Sequence, residues 1–170
     1  MSYFAVVATR ADDVWEAAEI DLDSVGDLDD VIDLVRDIDS EAAISLLFVE
    51  ADDEYLVILR LDNGDDARVF GSDAPYAEES RLGGVLLSDI DVTPPVGGGT
   101  GDDDDDDLDT PVMSELDAQP VGEADLLSDL NVPASTLLGL CAKDGMLPSD
   151  VTAEVAALIG CGDVVDEIHD

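Results

Sequence analysis

A stretch near the middle of the chain constrains the fold more than any other feature. Residues 91–122 hold ten acidic side chains and no basic one, with Pro94-Pro95, Gly97-Gly98-Gly99 and an unbroken run from Asp102 to Asp107. Such a segment repels itself and has little apolar surface to bury, so it reads as a disordered or extended acidic linker. It parts the chain into a first unit, residues 1–90, and a closing segment, residues 123–170.

The first unit reads as α+β. Tyr3 to Thr9 is β-branched and aromatic enough for a strand, and Val14 to Ile20 is its antiparallel partner across the short polar connection Arg10-Ala11-Asp12-Asp13. From Leu28 to Ile38 the apolar residues Leu28, Val31, Ile32, Val35 and Ile38 fall at the spacing of one helical face. Asp27 is placed to cap that helix, and Asp29 and Asp30 suit the positive end of its dipole. Ile44 to Val49 and Tyr55 to Leu61 follow as strands, then an Asn63-Gly64 turn and a closing strand from Arg68 to Gly71. The simplest assembly is a small antiparallel sheet in the order β-β-α-β-β-β, with the helix covering one face.

The closing segment reads as short helices. Leu126, Leu127 and Leu130 form one apolar patch, and Leu137, Leu138, Leu140 and Cys141 a second, between Pro133 and Gly145. Val151, Val155, Leu158 and Ile159 share a helical face that starts at Pro148 and stops at Gly160 or Gly162. Asp163 caps a last turn through Val164, Val165 and Ile168. About 48 residues of short helix do not make a stable core alone, so they are expected to dock on the first unit or on a partner.

Charge removes several function classes. The 170-residue chain carries 44 acidic and 6 basic side chains, a formal charge of −38. Taking away the ten acids of the linker still leaves −28 on the rest (−38 + 10). Yet 46% of the residues are hydrophobic, enough for a folded core. Phosphate backbones are bound by clustered Lys and Arg. Here Lys143 stands alone and Arg10, Arg36, Arg60, Arg68 and Arg81 are scattered. Direct nucleic-acid or anionic-membrane binding is therefore excluded unless the fold gathers several arginines, and the natural partner is a basic surface. The start of the chain has no basic region followed by an apolar one, and no window has the roughly 18 apolar residues of a membrane span. The expected location is cytoplasmic.

Catalytic constellations are missing as well. The one histidine, His169, is second from the end and has no placed partner, so histidine-based catalysis has no foothold. Cys141, Cys161 and His169 would need a fourth ligand and match no zinc spacing. The two cysteines read as buried apolar thiols, with a disulfide or a redox contact as the other options. Asp21-Leu22-Asp23-Ser24-Val25-Gly26 opens like a calcium loop but has Val25 at position five and Ile32 at position twelve. The glycine run 97–99 lacks the lysine of a phosphate-binding loop and precedes six aspartates. No catalytic, cofactor or metal residue is assigned.

Several blocks, taken in order, resemble one small actinobacterial family, the tRNA adenosine deaminase-associated proteins. Tyr3-Phe4-Ala5, Trp15 and Glu19-Ile20-Asp21-Leu22 resemble its opening hairpin. Phe48-Val49-Glu50, Asp52-Asp53-Glu54, Arg68-Val69-Phe70 and Ser72-Asp73 are similar to its central strands. Asp125 to Leu130, Leu137 to Cys141, Pro148-Ser149-Asp150 and Ile159-Gly160-Cys161 are similar to its closing helices. The resemblance implies an accessory of the tRNA adenosine deaminase, and it is not the deaminase itself. That enzyme needs H-x-E and P-C-x-x-C to hold zinc and move a proton, whereas His169 is followed only by Asp170 and neither cysteine has a partner two residues on. The expectation is a noncatalytic cytoplasmic adaptor whose acidic face meets a basic protein surface, with the deaminase as the candidate partner. Within the matching blocks, Arg68, Phe70, Asp73, Leu126, Leu130 and Pro148 are the candidate partner-binding residues. Two alternatives stand beside it: charge as an adaptation to salt with no specific partner, and an enzyme built on carboxylates and arginines around Arg68 and Asp73.

Overall fold

The computed structural model describes residues 3–51, 54–63, 66–73, 77, 79–87, 121–141 and 147–169. Six strands form one antiparallel sheet: β1 (Phe4–Ala11), β2 (Val14–Glu19), β3 (Ile44–Ala51), β4 (Tyr55–Asp62), β5 (Asp66–Gly71) and β6 (Val121–Gly122), in the spatial order β2-β1-β3-β4-β5-β6. The helices are α1 (Leu28–Ile38), α2 (Arg81–Leu86), α3 (Ala134–Cys141), α4 (Pro148–Ile159) and α5 (Gly162–His169), with a 3-10 turn at Ser128–Leu130. The fold is α+β, and its first six elements follow the order β-β-α-β-β-β.

The strands β3 and β4 are buried almost throughout because both faces of the sheet are covered. Successive side chains point to opposite faces, so each strand divides its residues between two cores. Val7, Leu47, Val49, Val57 and Leu59 pack with Val31 and Val35 of α1 and Leu82 and Leu86 of α2. Val6, Leu46, Phe48, Leu56, Ile58 and Phe70 pack instead with Leu126, Leu137, Val151, Val155 and Val165 from the closing segment. Helix α4 lies against β3 and β4, and α5 against β1 and β2.

Local chemistry sets the ends of the elements. The β1–β2 hairpin closes on two residues, Asp12 and Asp13, both at positive φ (54° and 65°), with Ala11 paired to Val14. Aspartate tolerates this left-handed geometry, which matches the twist of the flanking strands. In α1 the Asp27 carboxylate accepts from the Asp30 N–H at 3.0 Å, while Asp30 accepts from the Gly26 N–H at 2.9 Å. One orphan donor of the first turn, the Asp30 N–H, and the Gly26 N–H just before the cap are thus satisfied.

Four features depart from the sequence-based expectation. The first is the hairpin connection, which shrinks from four residues to Asp12 and Asp13 because Arg10 and Ala11 continue β1 and pair with Trp15 and Val14. Helix α2, capped by Ser80, was not anticipated; a Cβ on its Gly83 would lie 2.1 Å from the Ala77 carbonyl oxygen, so only glycine allows the approach. Val121 and Gly122, assigned to the linker, pair with β5; Gly122 has φ +92° and a Cβ there would meet the Val69 carbonyl oxygen at 2.2 Å. On α4 the buried stripe is Val151, Thr152, Val155 and Ala156, whereas Leu158 is 42% exposed. An i+7 position has rotated off the buried face because the sheet meets α4 one residue further round. The linker residues 91–120 and the turn residue Gly64 lie outside the described residues.

Candidate partner-binding surface

The six candidate residues separate into two groups. Phe70 and Leu126 are fully buried, Leu130 is 7% exposed and Pro148 is buried, so all four are part of the fold's own packing and present no side chain to a partner. From the sequence, the cover for the closing segment's apolar face is either the first unit or a partner. The sheet supplies it. Arg68 is exposed on β5, its Nε 3.8 Å from a Glu123 carboxylate oxygen, and Asp73 is half-buried just beyond the strand, its carbonyl accepting from the Ala77 N–H at 3.0 Å. Of the six, these two keep access to the surface.

Sequence reasoning missed Arg60, the residue with the densest polar environment. It is 5% exposed on the β4 face that otherwise carries Leu56 and Ile58. Its guanidinium donates to the Leu126 carbonyl at 2.7 Å, to both carboxylate oxygens of Asp129 and to Asp62 at 3.0 Å. The Arg60 hydrogen bond holds the Asp129 carboxyl below its ordinary pKa, and Asp129 in turn raises that of Arg60. A lone arginine in a continuous apolar run was the available signal. The clamp ties the 3-10 turn to the sheet and leaves Arg60 no donor for an outside ligand.

The other arginines are similarly occupied. Arg10 pairs with Asp13 at 2.9 Å, Arg36 with Asp33 at 2.8 Å, and Arg81 donates to the carbonyls of Val25 at 2.8 Å and Asp23 at 3.1 Å. Arg10, Arg36 and Arg81 stand on separate elements, whereas Arg60 and Arg68 face each other across β4 and β5 but are both paired with carboxylates of the same chain, so the described residues present no uncompensated cationic patch. Carboxylates dominate the outside instead: of the described acids only Glu50 is buried, and Asp39, Asp62 and Asp73 are half-buried.

A half-open cavity of about 140 Å³ is lined by Tyr3, Leu22, Asp23, Ala51, Tyr55, Ser80, Arg81 and Leu82. Its polar groups are directed at one another. The Tyr55 and Ser80 hydroxyls are 2.6 Å apart, Ser80 Oγ accepts from the Gly83 N–H at 2.8 Å, and Tyr3 Oη accepts from the Leu22 N–H at 2.7 Å. Burial, with Asp23 and Asp21 nearby, pushes the Tyr3 phenol up to about 12. Such a phenol is a hydrogen-bonding brace at neutral pH. It is not a base.

Both cysteines are free thiols. Burial pushes Cys141 up to about 12 and Cys161 up to about 11, which keeps them protonated and unreactive at neutral pH. Among the described residues no three His, Cys, Asp or Glu side chains are grouped to hold a metal ion.

A larger groove, about 390 Å³, runs between α4 and α5. Asp150, Asp163 and Asp166 stand along it with Ser149, over Thr152, Ala153, Ala156, Ala157, Gly162 and Val165. No helix in the described residues is long and apolar enough to cross a membrane.

Neither the curated proteins nor the solved structures contain a match to the chain. A family model matches residues 3–162, spanning the sheet, α1 to α4 and the segment between them. The chain belongs to the Rv3753c-like tRNA adenosine deaminase-associated protein family.

Proposed function

We propose that the protein is a noncatalytic accessory of a tRNA adenosine deaminase, holding a basic surface of that enzyme against its own acidic exterior. One observation carries the reading: the exposed carboxylates greatly outnumber the arginines, and each arginine of the described residues is engaged by a carboxylate or carbonyl of the same chain. A surface of this kind attracts cationic patches and repels tRNA. An enzyme that binds tRNA carries such a patch by necessity, so the accessory masks it, stabilises it or competes there with RNA. Membership of a family named for its association with that enzyme supplies the candidate partner. The test is retention of purified deaminase on the immobilised full-length protein. Retention at low salt that fades as salt rises, and that tRNA displaces, is the expected outcome. Absence of retention at any salt concentration refutes it.

A second reading has its own support. Aspartate outnumbers glutamate 33 to 11 and one lysine remains, a balance that suits an exterior kept hydrated at high internal salt. In that case the charge needs no partner. The mean charge of other proteins from the same cell separates the two readings, because a generally acidic set removes the argument from charge.

A further inference from the structure

The groove between α4 and α5 has features that go beyond general acidity. Asp163 and Asp166 lie three residues apart on α5 and so share a face, and Asp150 approaches from the first turn of α4. All three are exposed, and among the described residues none has a cationic partner. Asp150 also accepts from the Leu147 N–H at 3.2 Å, which leaves its other oxygen available. The floor is alanine and glycine, and a Cβ at Gly162 would already meet Ala157 at 3.3 Å. Small residues there keep the trench open above two closely packed helices.

The second observation is Thr152. It lines this groove, is 1% exposed, and its Oγ1 has no protein hydrogen-bond partner among the described residues. A buried hydroxyl without a partner is costly, and native proteins retain few of them. An apolar floor, an unpaired acceptor and a rim of three carboxylates together match a long cationic side chain with an apolar stem. Guanidinium suits this better than ammonium: it is weakly hydrated, planar, and donates in several directions at once. We propose that this groove is a receptor for an arginine side chain presented by the partner protein. Its stem lies over Ala153, Ala156 and Ala157, its guanidinium pairs with Asp163 and Asp166, and one N–H donates to Thr152 Oγ1. The identity of the arginine's owner rests on the proposed association; the groove's preference for guanidinium does not.

The experiment uses the full-length protein, ¹⁵N-labelled, with a blocked pentapeptide of four alanines around one arginine as the probe. Citrulline and lysine versions serve as comparisons. The expected result is amide shifts concentrated in residues 149–166, with the arginine peptide at least fivefold tighter than either analogue. The paired variant D163N/D166N weakens it at least tenfold. T152V weakens it about threefold while thermal stability is unchanged or higher, a combination that a purely structural threonine would not give. The control pair D33N/D37N on α1 changes it less than twofold. Shifts spread over all acidic faces, equal weakening by the control pair, or a lysine peptide as tight as the arginine one overturns the proposal. Deaminase held equally by wild type and D163N/D166N removes the groove but leaves the accessory role intact. A peptide seated in the groove with no deaminase retained does the reverse.

Discussion

Replacing Asp129 by asparagine tests how the closing segment is held to the sheet. Arg60 is 5% exposed, and two of its contacts go to the Asp129 carboxylate, which is itself 60% exposed. Breaking a fully buried ion pair costs about 3–5 kcal/mol, and an exposed pair contributes only about 0.2–1 kcal/mol. This pair lies between those limits. Arg60 also keeps Asp62 and the Leu126 carbonyl, so its charge is not orphaned by the change. A loss of about 1–2 kcal/mol is expected for D129N. Urea unfolding at neutral pH, followed by fluorescence of Trp15 and by circular dichroism, measures it.

The pH dependence supplies a second check. Because the Asp129 pKa is lowered in the folded state, its contribution is fully present above the ordinary value of 3.8 and disappears as pH falls through the folded value below that. Wild type and D129N should therefore converge in stability in strongly acidic solution. A difference under about 0.5 kcal/mol at neutral pH, or one that persists unchanged in acid, refutes the clamp as described.

Three further outcomes follow from the packing. Leu126→Ala empties a fully buried position under the sheet and should cost about 2–5 kcal/mol in the same unfolding assay, whereas Leu158→Ala on the exposed side of α4 should cost under about 1 kcal/mol. Gly83→Ala drives a Cβ into the Ala77 carbonyl and should lower the melting temperature by several degrees, while Gly84→Ala, with open space around it, should leave it unchanged or raise it. With thiols held near 12 and 11, half-buried Cys141 and buried Cys161 should label slowly with a disulfide reagent at pH 8 and rapidly once urea unfolds the chain; fast labelling of Cys161 in the native protein would contradict its burial.

The elements that were legible in the sequence are the locally determined ones. The α1 periodicity and its Asp27 cap depend on neighbours three and four residues away. The strands β1, β3 and β4 declare themselves through apolar residues at almost every position. Their burial on both faces was not deduced, because a continuous apolar run does not say what lies on either side. The same gap explains the four candidate residues that turned out to be core. Phe70, Leu126, Leu130 and Pro148 were recognised as apolar positions, and only the docking of the closing segment shows that the chain itself covers them.

Composition and spacing alone determined the charge of the exterior, the absence of a deaminase zinc signature and the helix-and-strand order of residues 1–71, since each depends on residue type or short-range pattern. Only the tertiary structure decided that Arg60 meets a carboxylate 69 residues away, that Leu158 faces outward, and that three aspartates and an unpaired threonine line one groove. Those outcomes depend on which faces meet across the sheet. Long-range packing sets that choice, and it selects among many arrangements that the same local pattern permits.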